Sequence, residues 1–165
     1  LARQLSDLQR RQKDDAQSIL DRLSKLEPLK VAIDGIEFTA SPDEKRDFER
    51  ALDTFRKGDF PAAQKFFVAF VGRFPASAYV SSALFWLGNA QYALRDYQNA
   101  ISNFRALLAK DPQHLRAPEA MLSVANCQLE LKDTKAARLT LTDLIKAYPD
   151  SEAAKAGRER LAALN

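Results

Sequence analysis

Apolar positions along most of this chain recur at helical spacing, and the pattern itself returns every 37 residues. Ala63, Phe67 and the pair Phe70/Val71 step by four and then three or four, which stacks them on one face of a helix. One period later stand Ala100, Phe104 and Leu107/Leu108, and one period further Ala137, Leu141 and Leu144/Ile145. A second apolar row precedes each of these, across a short polar turn at Gly58-Asp59, Arg95-Asp96 or Lys132-Asp133. Phe74-Pro75, Asp111-Pro112 and Tyr148-Pro149 close the units, because proline cannot donate the backbone hydrogen bond that a continuing helix needs. The pattern predicts an all-α superhelix of three helical hairpins, over about residues 42–77, 78–114 and 115–151, with a capping helix at 152–165. Small residues at Ala51, Gly88 and Ala125 keep the same step, and Gly88 opposite Ala100 lets two helix backbones approach. The first copy carries Asp47 and Arg50 where the later ones carry Leu84/Leu87 and Met121/Val124, as the exposed end of a stack should.

Residues 1–27 read as one more helix with a different purpose. Leu1, Leu5, Leu8, Gln12 and Ile19 fall at coiled-coil seam spacing, followed after a slip in phase by Leu23 and Leu26. A single helix of this length is marginal alone, so the stripe predicts an oligomerisation stem; the other reading is a helix folded back on the array. Gln12 and Asp15 weaken the seam. Pro28 stops the helix, and residues 28–41, with Gly35 and several β-branched side chains, read as an extended linker before the Ser41-Pro42 start of the array.

The second copy, Ala83 to Pro112, resembles the tetratricopeptide repeat at Leu87-Gly88, Tyr92, Asp96-Tyr97, Ala100-Ile101, Phe104 and Asp111-Pro112. The repeat commonly runs to about 34 residues, so the units here are longer between proline and next first helix, which should alter the superhelical pitch. The resemblance implies a tetratricopeptide-type superhelix whose first helices line a concave groove. Carried over position by position, the groove receives Phe48, Leu52 and Phe55, then Phe85, Asn89 and Tyr92, then Leu122, Asn126 and Leu129. Phe48 and Leu122 serve packing between repeats equally well. Tyr92, Asn89 and Asn126 favour the groove, since a bound backbone would satisfy their polar groups. Such a surface suits an extended segment or an amphipathic helix of a protein partner. Members of the family that clamp a terminal carboxylate use lysine and arginine here; Phe85 and Leu122 depart from that pattern.

Composition removes other classes. The chain has 165 residues, 46% hydrophobic and 28% charged, enough for a real core. Its net charge of +3 is not gathered into a basic stripe with interleaved aromatics, so nucleic acid is not an expected partner. One cysteine, Cys127, and one histidine, His114, supply neither a disulfide nor a zinc ligand set. Cys127 falls within an apolar first helix and His114 in an inter-repeat loop, so no nucleophile–base pair is expected. Asp14-Asp15 and Asp43-Glu44 read as solvating or helix-start charges, and glycine-rich phosphate loops are absent. The expectation is no catalysis, no metal and no cofactor. No apolar run approaches the ~20 residues of a membrane span. The chain opens at Leu1, which leads us to expect either a processed precursor or a trimmed chain, with any secretory signal upstream.

Stem, linker and repeats together, with Gly58-Asp59, Tyr79, Phe85-Trp86-Leu87-Gly88, Tyr92 and Tyr148-Pro149-Asp150-Ser151, resemble the YbgF/CpoB family of Tol-Pal system proteins. That resemblance implies a Gram-negative periplasmic adaptor whose coiled coil trimerises and whose repeats bind TolA. It also implies coordination of outer-membrane constriction with septal peptidoglycan synthesis in cell division, through a bifunctional synthase. Two alternatives are a tetratricopeptide accessory protein of outer-membrane protein assembly, which would begin at a lipidated cysteine without a coiled coil, and a co-chaperone-type peptide-binding module.

Overall fold

A computed structural model describes all residues 1–165. Its elements in chain order are α1 (Ala2–Ser24), β1 (Leu29–Ile33), β2 (Ile36–Ala40), α2 (Pro42–Arg56), α3 (Phe60–Arg73), α4 (Val80–Ala93), α5 (Tyr97–Lys110), α6 (Ala117–Glu130), α7 (Thr134–Ala147) and α8 (Glu152–Ala163). Each helix from α2 to α7 packs against its neighbours in sequence, and α8 packs against both α7 and α6. No helix is long and apolar enough to cross a membrane.

Local chemistry sets the boundaries. Ser41 starts α2 with a capping box: its hydroxyl accepts the Glu44 N–H while its own N–H donates to the Glu44 carboxylate. Asp59, Asp96 and Asp133 start α3, α5 and α7 by accepting the N–H of Ala62, Asn99 and Ala136. The residue before each aspartate is left-handed, with φ of 82° at Gly58 and 61° at Arg95 and Lys132. Glycine takes that conformation without strain, whereas the later copies hold it with a full side chain. The second helix of each unit stops just before its aromatic-Pro or Asp-Pro step.

The repeat period also governs polar packing. Asn103 Nδ2 donates to Gln91 Oε1 at 2.6 Å, and one period later Thr140 Oγ1 donates to Gln128 Oε1 at 2.7 Å. Each bond ties the first helix of a unit to the second and satisfies a buried amide. In the first unit Asp47 instead pairs with Arg73 at 3.0 Å, and the Arg50 guanidinium lies over the Phe66 ring. Gly88 answers a closer need than backbone approach to Ala100, because the Phe104 ring lies against it.

Residues 28–41 are not an extended linker. They form an antiparallel hairpin in register Leu29↔Ala40, Val31↔Phe38 and Ile33↔Ile36. Asp34 and Gly35 turn it with φ of 49° and 78°, the two positive values that a two-residue type I′ turn requires and that Asp-Gly favours. Val31 and Ala40 are buried in the main core with Phe48 and Tyr79, and Phe38 meets the Tyr79 ring edge-on at 4.7 Å. A free two-stranded hairpin is marginal in water, so this packing explains why the segment is ordered. The fold is therefore mostly helical with one β-hairpin rather than purely α. Helix α1 buries none of its residues, which removes the reading in which it folds back on the array.

Candidate binding face

The first helices α2, α4 and α6 present the positions expected to line a groove, and the structure divides those residues into three groups. Phe48, Leu52 and Phe85 are core residues and not open groove surface. Phe48 stacks on Tyr79 at 4.3 Å and meets Phe67 and Phe70 edge-on. Phe85, 1% exposed, is closed in by Trp86, Phe104 and Arg116. A face shared at spacings of four and three can point inward as well as outward, and here the larger rings point inward. Leu122 is partly buried and packs against the smaller core formed by Ala125, Leu141, Leu144 and Ala154.

Phe55, Asn89, Tyr92, Asn126 and Leu129 remain partly exposed. Phe55 packs edge-on against Phe60 and lies 5.1 Å from Trp86. Asn89 Nδ2 already donates to the Phe85 carbonyl at 2.8 Å, and Asn126 accepts from Arg160 of α8. Each amide thus has one of its two groups engaged within the chain, Asn89 its Nδ2 and Asn126 its Oδ1. Tyr92 sits against Tyr97 at 5.4 Å; burial raises its pKa, with Glu130 adding to the effect and Arg160 opposing it. This part of the face is thus aromatic and aliphatic, with one carboxylate and one guanidinium at its edge.

A second constellation was not anticipated. The hairpin turn carries Asp34 to the other part of the face, where its side chain is only 5% exposed. Ser82 Oγ on α4 donates to Asp34 Oδ2 at 2.5 Å, and Arg116 Nε at the start of α6 donates to Oδ1 at 2.9 Å. His114 is buried beside them, with Nε2 3.4 Å from Ser82 Oγ and 3.8 Å from Asp34 Oδ2. The Arg116 guanidinium also covers the Trp86 ring at 4.9 Å. Asp-Gly was visible in the sequence as a turn signal, but its partners lie 48 and 82 residues downstream, beyond any local pattern.

Serine, histidine and aspartate together invite a catalytic reading, which the hydrogen bonds do not support. The Arg116 backbone N–H donates to His114 Nδ1 at 3.0 Å, so the neutral ring carries its proton on Nε2, the atom facing Ser82. That nitrogen cannot accept the Ser82 proton, which is directed at Asp34 instead. The arrangement holds a carboxylate. Cys127 is equally unsuited to chemistry: it is fully buried, and burial pushes its thiol up to about 12.

Tetratricopeptide-repeat family models match residues 48–114 and 91–161. No curated protein matches the chain. Among solved structures, the chain is similar to the type III secretion chaperone SycD of Yersinia enterocolitica in complex with a peptide of the translocator YopD (19% identity, 76% of this chain and 91% of that one, TM-score 0.62). It is similar also to PcrH, known from Pseudomonas aeruginosa, in complex with the chaperone binding region of PopD (19% identity, 76% and 93% covered, TM-score 0.64). The Arabidopsis OM64 tetratricopeptide domain is a third (16% identity, 73% and 94% covered, TM-score 0.61). At these identities the likeness is one of fold. With two overlapping matches that together run through residues 48–161, on helices paired as the repeat requires, this part of the chain is built of tetratricopeptide repeats.

Proposed function

We propose that this chain is a non-enzymatic protein-binding module that takes a peptide segment of its partner on the face of α2, α4 and α6. In this reading α2–α3, α4–α5 and α6–α7 are three repeats, α8 is their cap, and α1 is a coiled-coil stem joining copies of the chain. The observation that carries it is the partly exposed strip Phe55, Tyr92 and Leu129 on first helices, the surface that a tetratricopeptide array offers a ligand. The co-chaperone-type alternative draws support from SycD and PcrH, arrays of similar fold seen with segments of translocators.

The test is to pan a library of short peptides against the full chain and against the Tyr92→Ala, Leu129→Ala double variant. Peptides that bind the parent and lose the variant support the reading, and peptides that bind both equally place the site elsewhere.

One observation favours the second, narrower reading, a periplasmic Tol-Pal role through TolA and a bifunctional peptidoglycan synthase. A leucine-bearing helix of 23 residues with none buried precedes the array, in line with the stem that the resemblance to that family implies, and in this reading the stem gathers copies of the chain into the trimer of that family. Titration of the full chain with purified TolA decides between the two: saturable binding lost in the double variant supports the Tol-Pal role, and no binding removes it.

A further inference from the structure

We infer that Ser82, His114 and Arg116 form a carboxylate-recognition site on the partner-binding face, that Asp34 of the chain's own hairpin is its resident ligand, and that a partner enters by presenting an aspartate or glutamate on a tight turn in place of Asp34. The inference rests on the proposed binding face and names the chemistry of its ligand.

The pocket is built from the array, while its occupant comes from outside it. Ser82 belongs to α4 and Arg116 begins α6, whereas Asp34 is delivered by a two-residue turn. No buried side-chain nitrogen or oxygen in the chain lacks a hydrogen-bond partner while the turn is docked. Its departure would leave the Ser82 hydroxyl and the Arg116 Nε–H without this acceptor, beside the His114 Nε2–H, while Glu119 of α6 keeps its contact with Arg116 Nη1 at 3.4 Å. Buried donors stripped of an acceptor are costly, and a charged acceptor satisfies them better than a neutral one. The vacated site therefore selects another carboxylate.

The occupant is held at its base as well as at its turn: Val31 and Ala40 lie in the main core, Ile33 and Phe38 pack against it, and the helix before it buries no residue. A tethered ligand competes at high effective concentration, so the hairpin sets a threshold that an incoming segment must exceed. Sequence-distant, charge-compensated docking of one short turn is what a built-in competitor requires.

The experiment uses the full-length Asp34→Lys variant, in which repulsion from Arg116 ejects the turn. Trp86 is the single tryptophan and lies under the Arg116 guanidinium, so its emission reports release. The probe is a labelled, backbone-cyclised peptide of residues 29–40. We expect a changed Trp86 emission, and peptide binding about tenfold or more tighter to the variant than to the parent chain. The same peptide carrying Asp34→Asn should bind about tenfold more weakly, as should the parent peptide when Arg116→Ala is added to the variant. Unchanged Trp86 emission overturns the inference, as does equal binding of the two peptides or equal binding to parent and variant. Should Asp34→Lys lose its helical signal, full-length Asp34→Asn, nearly isosteric, takes its place with the same readouts. Failure here leaves peptide selection at Tyr92 and Leu129 untouched, and failure there leaves these titrations readable.

Discussion

The Phe104 ring fills the space that a side chain on Gly88 would need: a Cβ built on Gly88 would stand 2.7 Å from two carbons of that ring. Glycine at position 88 is therefore demanded by this second-helix aromatic. Gly88→Ala should destabilise the chain by about 1–3 kcal/mol, because a rigid buried ring must move to admit one methyl group. Chemical denaturation measures it, and Phe104→Leu in the same chain should recover part of the loss.

Binding and stability should separate between neighbours on α4. Phe85→Ala removes a core ring and should cost about 3–5 kcal/mol of folding stability. Tyr92→Ala with Leu129→Ala should leave the circular dichroism spectrum intact and weaken a selected peptide by ~2–4 kcal/mol in calorimetry. A peptide whose affinity follows Phe85 alone through unfolding would contradict the division of the face drawn above.

The stem predicts an oligomer. Leu8→Asp with Leu23→Asp should convert it to a monomer in light scattering without changing the melting of the repeats, since α1 buries none of its residues. A parent chain that scatters as a monomer at tens of micromolar would remove the stem's role.

Alkaline pH should unfold the chain before it exposes a reactive thiol. Burial raises Cys127 from 9.0 to about 12 and Tyr79 from 10.0 to about 12, the latter helped by Glu49 and Glu44. Both groups are neutral when protonated, and the folded state keeps their protons longer than the unfolded state does. Their contribution is whole below the unfolded values and is lost as pH rises from about 9 through about 12. Stability measured by urea melts across that range should fall, and Cys127→Ala should flatten the slope.

What could be read from the residues was what repeats locally. Helix starts at Asp59, Asp96 and Asp133, stops at Pro75, Pro112 and Pro149, and the buried rows through Phe67, Phe104 and Leu141 all follow from short-range spacing. The hairpin was legible too, in the Asp34-Gly35 pair between Val31–Ile33 and Ile36–Phe38, but Pro28 and Gly35 weighed toward a linker. Inward or outward direction on a first helix was not legible, because Phe48 and Phe85 share the spacing of Phe55 and Tyr92 while facing the core. Nor was the Asp34 pocket, whose members meet only after the hairpin has folded across α4 and reached α6.

The hairpin register has a geometric outcome for any assembly through α1. Leu29 lies directly across from Ala40, so the chain leaves the array beside the point where α2 begins. Stems gathered into a bundle would hold every first unit near the hub and send every α8 toward the periphery. A partner carrying several copies of its recognition segment would then meet several faces on one particle, and the strength of that grip would grow with the number of spokes rather than with the quality of any single contact.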